Sequence, residues 1–286
     1  MSLFAIALVL LAAIVHAGWN ALAKRRPDIL TFFWALTVAA LILYAVPFAI
    51  LVRRHPPTWE GVPFMVASSI AEVAYGIFLA RAYAHTDLSL AYPVARGTGV
   101  LLVPLAALPL FGDRPTVIAW LGIALIVLGV VWLHLPGIQR AIARRGFGGI
   151  VSLPPLLTGV AIATYSLIDS AGVRRIHPFV YLYLTFGLMA LWLAPYVLIQ
   201  RRAALATELR QRWPVLGGGV AVFGTYCVIL AAFRLAPVSY VVPMREVGIV
   251  FGALLGVRLL GEPFGRTRVA ACAVVAIGVI AIGIGG

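Results

Sequence analysis

This 286-residue sequence predicts an all-α integral membrane protein, with ten transmembrane helices arranged as two inverted five-helix repeats around a central cavity. Hydrophobic residues make up 63% of the chain and charged residues only 11%, whereas a soluble domain carries about 25% charged residues. The mean hydropathy is +1.06. The apolar residues fall into ten runs, and the second half of the chain repeats the pattern of the first.

Each apolar run has about the length of a bilayer-spanning helix, which needs roughly 20 residues. Lipid offers the backbone no hydrogen-bond partner, so each run is expected to satisfy its own backbone groups as a helix. Short breaks rich in Arg, Pro or Gly separate the runs. The ten predicted spans cover residues 3–22, 29–52, 62–84, 88–111, 115–135, 152–173, 178–200, 213–233, 238–260 and 266–284.

The repeat is clearest between residues 89–129 and 238–278, where residues of the first copy recur 149 or 150 positions later. Five spans per copy is an odd number, so the second copy must enter the membrane the other way up, as in secondary transporters with inverted repeats. We therefore predict a first repeat over residues 1–137, a linker over 138–151 and a second repeat over 152–286. Matching pairs are Ser89 with Ser239, Pro93 with Pro243, Arg96 with Arg245, Gly112 with Gly261, and Gly129 with Gly278.

The formal net charge of +13 comes from Lys and Arg residues that lie mostly in the short breaks between spans. This placement indicates a topology signal and contact with lipid headgroups, and it argues against a nucleic-acid partner. Breaks after odd-numbered spans hold about twelve Lys and Arg, and breaks after even-numbered spans about six. The positive-inside rule then places both termini outside the cytoplasm.

Motifs of soluble enzymes are absent from the sequence. There is no phosphate-binding loop, dinucleotide fingerprint or zinc-ligand spacing, so we expect no cofactor and no metal, and an ATP-driven pump is excluded. Cys227 and Cys272 lie inside apolar runs and are expected to be small buried residues rather than a disulfide. No basic segment precedes span one, which is therefore expected to be a true span rather than a cleaved signal peptide.

Glu72 lies in the middle of span three, far from either end. A carboxylate at this depth costs several kcal/mol unless it is paired, protonated or in contact with water. At helical spacing it shares a face with Ser68, Tyr75, Leu79 and Tyr83. A polar and aromatic stripe of this kind is expected to face a cavity rather than lipid.

Other spans carry further polar and aromatic residues at helical spacing, whereas spans two and seven are apolar with aromatics typical of membrane interfaces. We take these polar and aromatic groups as candidates for a substrate-binding or transport path. The candidates are His16, Trp19, Asn20, Glu72, Tyr75, Tyr92, Arg96, Tyr165, Asp169, Tyr226, Arg245 and Glu246.

A purely structural role is an alternative for the charged candidates. Glu72 or Glu246 can pair with Arg96 or Arg245, and two carboxylates would then balance two guanidiniums in a neutral strut that holds the repeats in register.

A separate pattern concerns helix packing. Glycines at four-residue spacing in span nine indicate a close helix contact. We favour a contact within one subunit, and hence a monomer, over a dimer seam; these glycines are Gly248, Gly252 and Gly256.

Several short motifs, in order, resemble the EamA-type branch of the drug/metabolite transporter superfamily. They are His-Ala-Gly-Trp-Asn at 16–20, Ser-Leu-Ala-Tyr-Pro-Val at 89–94, Leu-Phe-Gly-Asp-Arg-Pro at 110–115, Val-Ser-Tyr-Val-Val-Pro at 238–243 and Leu-Gly-Glu-Pro at 260–263. The resemblance covers nearly the whole chain. Asp113 departs from the Gly-Glu usual in this branch.

The resemblance implies a carrier of the inner membrane with a central cavity between the repeats. Members move amino acids, nucleosides, sugars and drugs, and aromatic amino acid exporters are one group. We therefore expect a secondary transporter that exports a small metabolite, most readily an amino acid, by alternating access. A proton-independent facilitator or channel-like uniporter stays open, as does an intramembrane enzyme, for which Asp169 with His177 is the candidate cluster.

In the expected mechanism, aromatic side chains form the wall against the substrate and polar ones bind it. A zwitterion would place its carboxylate on Arg96 or Arg245 and its ammonium on Glu72, which could also carry a coupling proton. The repeat mate of Glu72 is Ala221, so the half of the cavity from the first copy should carry a carboxyl group that the half from the second copy lacks. The expected wall residues are Trp19, Tyr75, Tyr165 and Tyr226, and the expected hydrogen-bonding residues are His16, Asn20 and Tyr92.

Overall fold

The computed structural model describes residues 1–23, 26, 28–85, 88–145, 153–253 and 265–286. Every regular element within these residues is helical. Short 3-10 turns occupy Trp59–Gly61 and Arg245–Val247, and a π-turn occupies Tyr196–Gln200. The helices are α1 (Leu3–Ala23), α2 (Ile29–Leu43), α3 (Ala45–Arg54), α4 (Val62–His85), α5 (Leu88–Phe111), α6 (Val117–Arg145), α7 (Leu153–Gly172), α8 (Pro178–Pro195), α9 (Arg202–Arg210), α10 (Arg212–Leu235), α11 (Val238–Met244) and α12 (Arg266–Gly285).

Helix ends agree closely with the predicted span boundaries, but the count of ten spans is not confirmed. Among the described residues, six helices are long and apolar enough to cross a bilayer. The pair α2 and α3, bent by 62°, makes a seventh. Predicted span nine is divided into α11, the Arg245–Val247 turn and a helical segment over 248–253, and the rest of it lies outside the described residues.

Two breaks between the predicted spans are helical instead. Helix α6 continues through Pro136 to Arg145, so the first eight residues of the expected linker, 138–145, extend a helix. The Arg140 side chain donates to the Pro136 carbonyl one turn earlier, at 3.1 Å. Helix α9 occupies the other long break, because its Ala, Leu, Glu and Arg residues have high helix propensity.

The motif at 110–115 ends one helix and begins another. Gly112 adopts a left-handed φ of 69° and terminates α5, a conformation that glycine reaches without steric cost. The Asp113 carboxylate then accepts a hydrogen bond from the Ser239 hydroxyl at 2.6 Å and one from the Ser239 backbone N–H at 3.4 Å, at the start of α11. Asp113 therefore caps a helix of the other copy, which explains its place in the motif.

Helices α6 and α12 cross antiparallel at two points of close backbone contact. A Cβ atom on Gly122 would lie 2.6 Å from the Gly278 carbonyl oxygen, and one on Gly129 would lie 3.0 Å from that of Ala271. Ala271 is the repeat mate of Gly122, and Gly278 is the mate of Gly129. Replacing each residue by its repeat mate therefore converts the Gly122–Gly278 contact into the Gly129–Ala271 contact, as expected of copies related by a two-fold axis.

A second pair of contacts obeys the same relation. Gly99 in α5 packs on Ile162 in α7, and Gly248 packs on the Ala13 backbone in α1, where a Cβ on Gly248 would lie 3.2 Å from the Ala13 carbonyl oxygen. Gly248 is the mate of Gly99, and Ala13 is the mate of Ile162. The predicted contact within one chain is therefore present at Gly248. A Cβ on Gly252 would meet nothing within 4 Å in the described part of the chain, and Gly256 lies outside that part.

Both termini lie at one end of the helix bundle, which we call the terminal end. The Met1 amino group bonds to the Gly286 carbonyl, and Thr116 donates to the Gly285 carbonyl at 2.7 Å. Since successive helices alternate in direction, α5, α7 and α10 finish at this end, and α4 and α8 begin there. The end that holds Arg26 and helix α9 is called the opposite end.

The α6–α12 crossing predicts that Gly278→Ala destabilises the protein. The added methyl would meet a backbone carbonyl rather than a side chain, so the helices must separate, at about 1–3 kcal/mol. Gly187→Ala in α8 is the control, since a Cβ there meets nothing within 4 Å among the described residues. Thermal unfolding in detergent should show a lower Tm for Gly278→Ala alone, and equal Tm values would contradict the close crossing.

Candidate functional site

A cavity of about 130 Å³ lies inside the bundle between helices of both copies. It extends toward the opposite end, where Leu30 and Trp34 near the start of α2 and Leu193 near the end of α8 line it. Spans two and seven, which the sequence pattern indicated to be apolar with aromatics typical of membrane interfaces, thus contribute to its wall. The predicted path residues that line the cavity are His16, Glu72, Tyr75, Arg96, Tyr165, Tyr226 and Arg245.

Three tyrosines form an aromatic wall in the cavity. The Tyr75 and Tyr165 rings meet edge to face with centroids 5.8 Å apart, and the Tyr165 and Tyr226 rings do so at 6.2 Å. They come from α4, α7 and α10, so both copies contribute. Edge-to-face packing fixes each ring and leaves faces and edges that an apolar or aromatic ligand can contact.

Arg96 is held by groups of both copies. Its Nη1 donates to Glu246 Oε1 at 2.9 Å, and its Nη2 lies 3.1 Å from His16 Nε2. A guanidinium only donates, so His16 accepts at Nε2 and carries its proton on Nδ1. The Arg96–Glu246 ion pair is one of the pairings that the structural alternative allowed, and Glu246 does not line the cavity.

The ionisable side chains of Glu72 and Arg245 have only part of their hydrogen-bonding capacity satisfied. Among the described residues, the buried atoms Glu72 Oε1 and Arg245 Nε have no hydrogen-bond partner. Both side chains line the cavity, and Arg245 is close enough to Tyr165 and Tyr226 to interact electrostatically. Burying an unpaired charge costs several kcal/mol, so these two groups are where a polar ligand would be stabilised most.

Asp169 is a third buried carboxylate, which lies behind the cavity wall. It accepts hydrogen bonds from the hydroxyls of Tyr181, at 2.7 Å, Ser68 and Tyr226. The side chain is fully buried. The sequence pattern balanced two carboxylates, Glu72 and Glu246, against two guanidiniums; Asp169 adds a third carboxyl group beside the cavity, and Glu208 in α9 is buried at the opposite end.

The remaining predicted path residues lie elsewhere or outside the described residues. Tyr92 stacks against His134 with centroids 5.5 Å apart and lies under the Arg96 guanidinium, rather than in the cavity wall. Trp19 and Asn20 belong to the last turns of α1, but their side chains fall outside the described part of the structure.

The structure does not bring together the Asp169 and His177 cluster considered for an enzyme. His177 precedes α8 at the terminal end and stacks on His55 with centroids 4.8 Å apart. Burial, then the neighbouring His55 and Arg234, lower the pKa of His177. Asp169 has its hydrogen bonds from three hydroxyls instead.

Sequence reasoning missed Tyr181 and assigned Ser68 only to a face. Tyr181 is the fourth residue of span seven, a position where an aromatic residue usually marks the membrane interface. The signal that could have identified it is its spacing from the helix start, which places it level with Asp169, one turn before the end of α7.

The cavity between the two copies agrees with a family match that covers both copies. Residues 3–135 and 149–284 each match the profile of the EamA-like transporter family. The chain belongs to the EamA-like transporter family. This EamA-like protein is therefore a multi-pass membrane protein of a family that transports small molecules.

Two further similarities agree with the fold. An uncharacterized protein of Sinorhizobium fredii, y4nH, is 33% identical over 68 residues, which are 23% of this chain and 58% of that protein. The match thus spans little more than half of that relative. A protein crystal structure whose description gives no function aligns with 99% of this chain and 97% of its own, at a TM-score of 0.71 and 18% identity, which shows the fold alone.

The buried ion pair predicts that Glu246→Gln is strongly destabilising. It leaves the Arg96 charge buried without a counter-charge, and breaking a buried pair in this way costs roughly 3–5 kcal/mol. Glu60→Gln, at an exposed position, is the matched control. Thermal unfolding in detergent should show a large loss of Tm for Glu246→Gln, most of it recovered in the double variant Arg96→Met with Glu246→Met. An unchanged Tm in Glu246→Gln would contradict this role.

Proposed function

We propose that this EamA-like protein is a secondary transporter that moves amino acids, aromatic and other hydrophobic ones above all, across the cytoplasmic membrane. The observation that supports this function is the presence of Glu72 and Arg245, a carboxylate and a guanidinium that each hold an unsatisfied buried atom, on the wall of one tyrosine-lined cavity. Export is the direction of the aromatic amino acid carriers that the sequence motifs resemble.

The charge pattern of the cavity suits a zwitterion. The ligand ammonium would donate to Glu72, and the ligand carboxylate would accept from Arg245. Arg96 is the weaker candidate for the carboxylate, because Glu246 and His16 already engage its two terminal nitrogens. Each charge-assisted hydrogen bond also satisfies a group that is costly to leave unpaired in the membrane interior.

The tyrosine wall suits an apolar or aromatic side chain. Tyr75, Tyr165 and Tyr226 lie near the two charged groups, so a ligand bound through its ammonium and carboxylate would place its side chain among the rings. Aromatic pairs contribute about 0.5–1.5 kcal/mol beyond the burial of their area. This gain would favour phenylalanine or tryptophan over small polar amino acids.

Transport would proceed by alternating access, in which the two repeats rock about the central site. Proton coupling is part of the proposal, and Glu72 is its carrier. An ammonium group and a proton each neutralise this carboxylate, so they compete for it. The competition would link substrate release on one side of the membrane to protonation on that side.

The zwitterion proposal predicts opposite ligand preferences for two variants. Competition against labelled L-phenylalanine counterflow in proteoliposomes should be measured with 3-phenylpropionate, which lacks the ammonium, and phenethylamine, which lacks the carboxylate. Arg245→Gln should weaken competition by the acid and leave the amine unaffected, and Glu72→Gln should do the reverse. Losing one charge-assisted hydrogen bond corresponds to a roughly 10–100-fold change in affinity.

Two exposed charges serve as matched controls for this competition experiment. Glu60→Gln and Arg234→Gln remove the same types of charge at exposed positions and should leave both preferences unchanged. If Glu72→Gln and Arg245→Gln weaken the binding of all three ligands equally, the two side chains do not recognise the ligand charges. If wild-type protein gives no phenylalanine counterflow, the proposed substrate class is wrong.

Proton coupling by Glu72 predicts a second phenotype for Glu72→Gln. Net uptake driven by a pH gradient should be lost, and the remaining exchange should no longer vary with pH, because glutamine cannot titrate. The measurement is the initial rate of phenylalanine uptake between pH 5.5 and 8 in proteoliposomes. A wild-type pH profile in Glu72→Gln would leave an uncoupled facilitator as the better description.

A further inference from the structure

Asp169 and the three hydroxyls around it lie between the cavity and the terminal end. We call Ser68, Tyr181 and Tyr226 the hydroxyl cage of Asp169. Asp169 is in the last turn of α7, Tyr181 is in the first turn of α8, and Ser68 is in the second turn of α4. All three of these helix ends are at the terminal end. Asp169, Ser68 and Tyr181 are each fully buried, so this region is closed to solvent.

The cage joins helices of both copies at a single carboxylate. Asp169, Tyr181 and Tyr226 come from the second copy, on α7, α8 and α10, and Ser68 comes from α4 of the first copy. The Tyr181 hydroxyl also lies 3.2 Å from the Phe64 carbonyl, again on α4. If the first copy moves relative to the second at this end, these bonds must break.

The equivalent position at the opposite end has different chemistry. The repeat mates of Ser68, Tyr181 and Tyr226 are Gly217, Phe32 and Ile77, which have no hydroxyl group. The cage is therefore not a consequence of the repeat, because only one of the two symmetric positions can form it. A network needed only for packing of the shared frame would be expected at both positions.

Ion pairs bridge the two copies at the opposite end instead. Arg26 lies 3.3 Å from Glu208, and Asp28 lies 3.6 Å from Arg201. These pairs join Arg26 and Asp28, which precede α2, to helix α9 and to its N-cap residue Arg201. The two ends of the cavity thus have separate connections between the copies, one made of hydroxyls on a carboxylate and the other of ion pairs.

Tyr226 belongs both to the cavity wall and to the cage. Its ring packs edge to face on Tyr165 and lines the cavity, and its hydroxyl donates to Asp169. A ligand that contacts the Tyr226 ring or oxygen therefore acts directly on a cage bond. Glu72, on the cavity side, also interacts electrostatically with Asp169.

We propose that Asp169 is a positioning residue for transport, whose hydroxyl cage forms the gate at the terminal end, and that Tyr226 links ligand binding to this gate. The proposal rests on the proposed function only in treating the cavity as a transport path. Opening at the terminal end requires Ser68 on α4 to separate from Asp169. Asn at position 169 replaces one of the two carboxylate oxygens by an NH2 group, so it cannot accept from all three hydroxyls, and its NH2 would face a hydroxyl that now donates to the carboxylate.

The test is the side from which the cavity can be labelled. The reporter is Thr225→Cys, which lines the cavity beside Tyr226, in a background where Cys227 and Cys272 are replaced by alanine. A membrane-impermeant maleimide is applied to right-side-out and inverted membrane vesicles. Protease removal of a C-terminal tag identifies the vesicles that expose the terminal end.

With Asp169 intact, we expect labelling from the terminal side to be slow. Asp169→Asn should raise its rate at least about tenfold, the factor that corresponds to the loss of one hydrogen bond of about 1.4 kcal/mol. Tyr181→Phe is the milder variant and should shift the rate in the same direction. Thr164→Val, on α7 with Asp169, removes a hydroxyl that donates only within its own helix, to the Val160 carbonyl at 2.8 Å, and it should leave the rate unchanged.

Structural damage and failure of the substrate assignment give different results. Size-exclusion chromatography and Tm in detergent report folding for each variant. If Asp169→Asn and Tyr181→Phe fold but the terminal side is labelled no faster than in the intact cage, or if Thr164→Val has the same effect, the gate proposal is overturned. Labelling needs no substrate, so absence of phenylalanine counterflow would overturn the substrate class and leave this readout intact. Once phenylalanine transport is established, about 5 mM phenylalanine should change the labelling rate of the protein that has Tyr226. The same concentration should leave the labelling rate of Tyr226→Phe unchanged.

Discussion

A charged group in the interior of a membrane bundle must be neutralised or hydrogen-bonded, and the architecture of this protein follows from how it meets that constraint. Glu246 is neutralised by Arg96, and Asp169 is hydrogen-bonded by three hydroxyls. Within the described residues, Glu72 and Arg245 keep one unsatisfied buried atom each, and both face the cavity. The two groups that we propose bind the ligand thus differ from Glu246 and Asp169 in that the protein leaves one of their polar atoms without a partner.

One residue breaks the symmetry that would otherwise make the two arginines equivalent. Arg96 and Arg245 are repeat mates, and the groups beside them, His16 and Tyr165, are mates as well. Glu246 has Gly97 as its mate, so only one copy supplies this carboxylate, and it goes to Arg96. The symmetric frame places two guanidiniums near the centre, and one unrepeated glutamate leaves the other available to a ligand.

Local patterns in the sequence predicted most helices well, but they did not predict which side chains of different helices contact each other. Span boundaries, the two copies and the cavity position of Glu72 follow from apolar length, from the repeat offset and from the cost of a carboxylate inside a span. The Asp169 cage does not follow, because its donors come from three other helices and Tyr181 sits where an interfacial aromatic is common. Helix α9 was missed because a polar amphipathic segment between spans carries no apolar signal.

The different chemistry of the two ends bears on how alternating access can work. The hydroxyl cage is fully enclosed at Asp169. Of the two ion pairs at the opposite end, Arg26–Glu208 is largely buried, whereas Asp28–Arg201 is partly exposed, with half of the arginine side chain accessible. Exposed ion pairs exchange readily with water, but each buried hydroxyl that leaves a carboxylate loses its partner outright. The terminal end therefore resists opening unless something else compensates. Glu72 and Tyr226 are placed to receive that compensation from a ligand, since one interacts with Asp169 and the other is bonded to it.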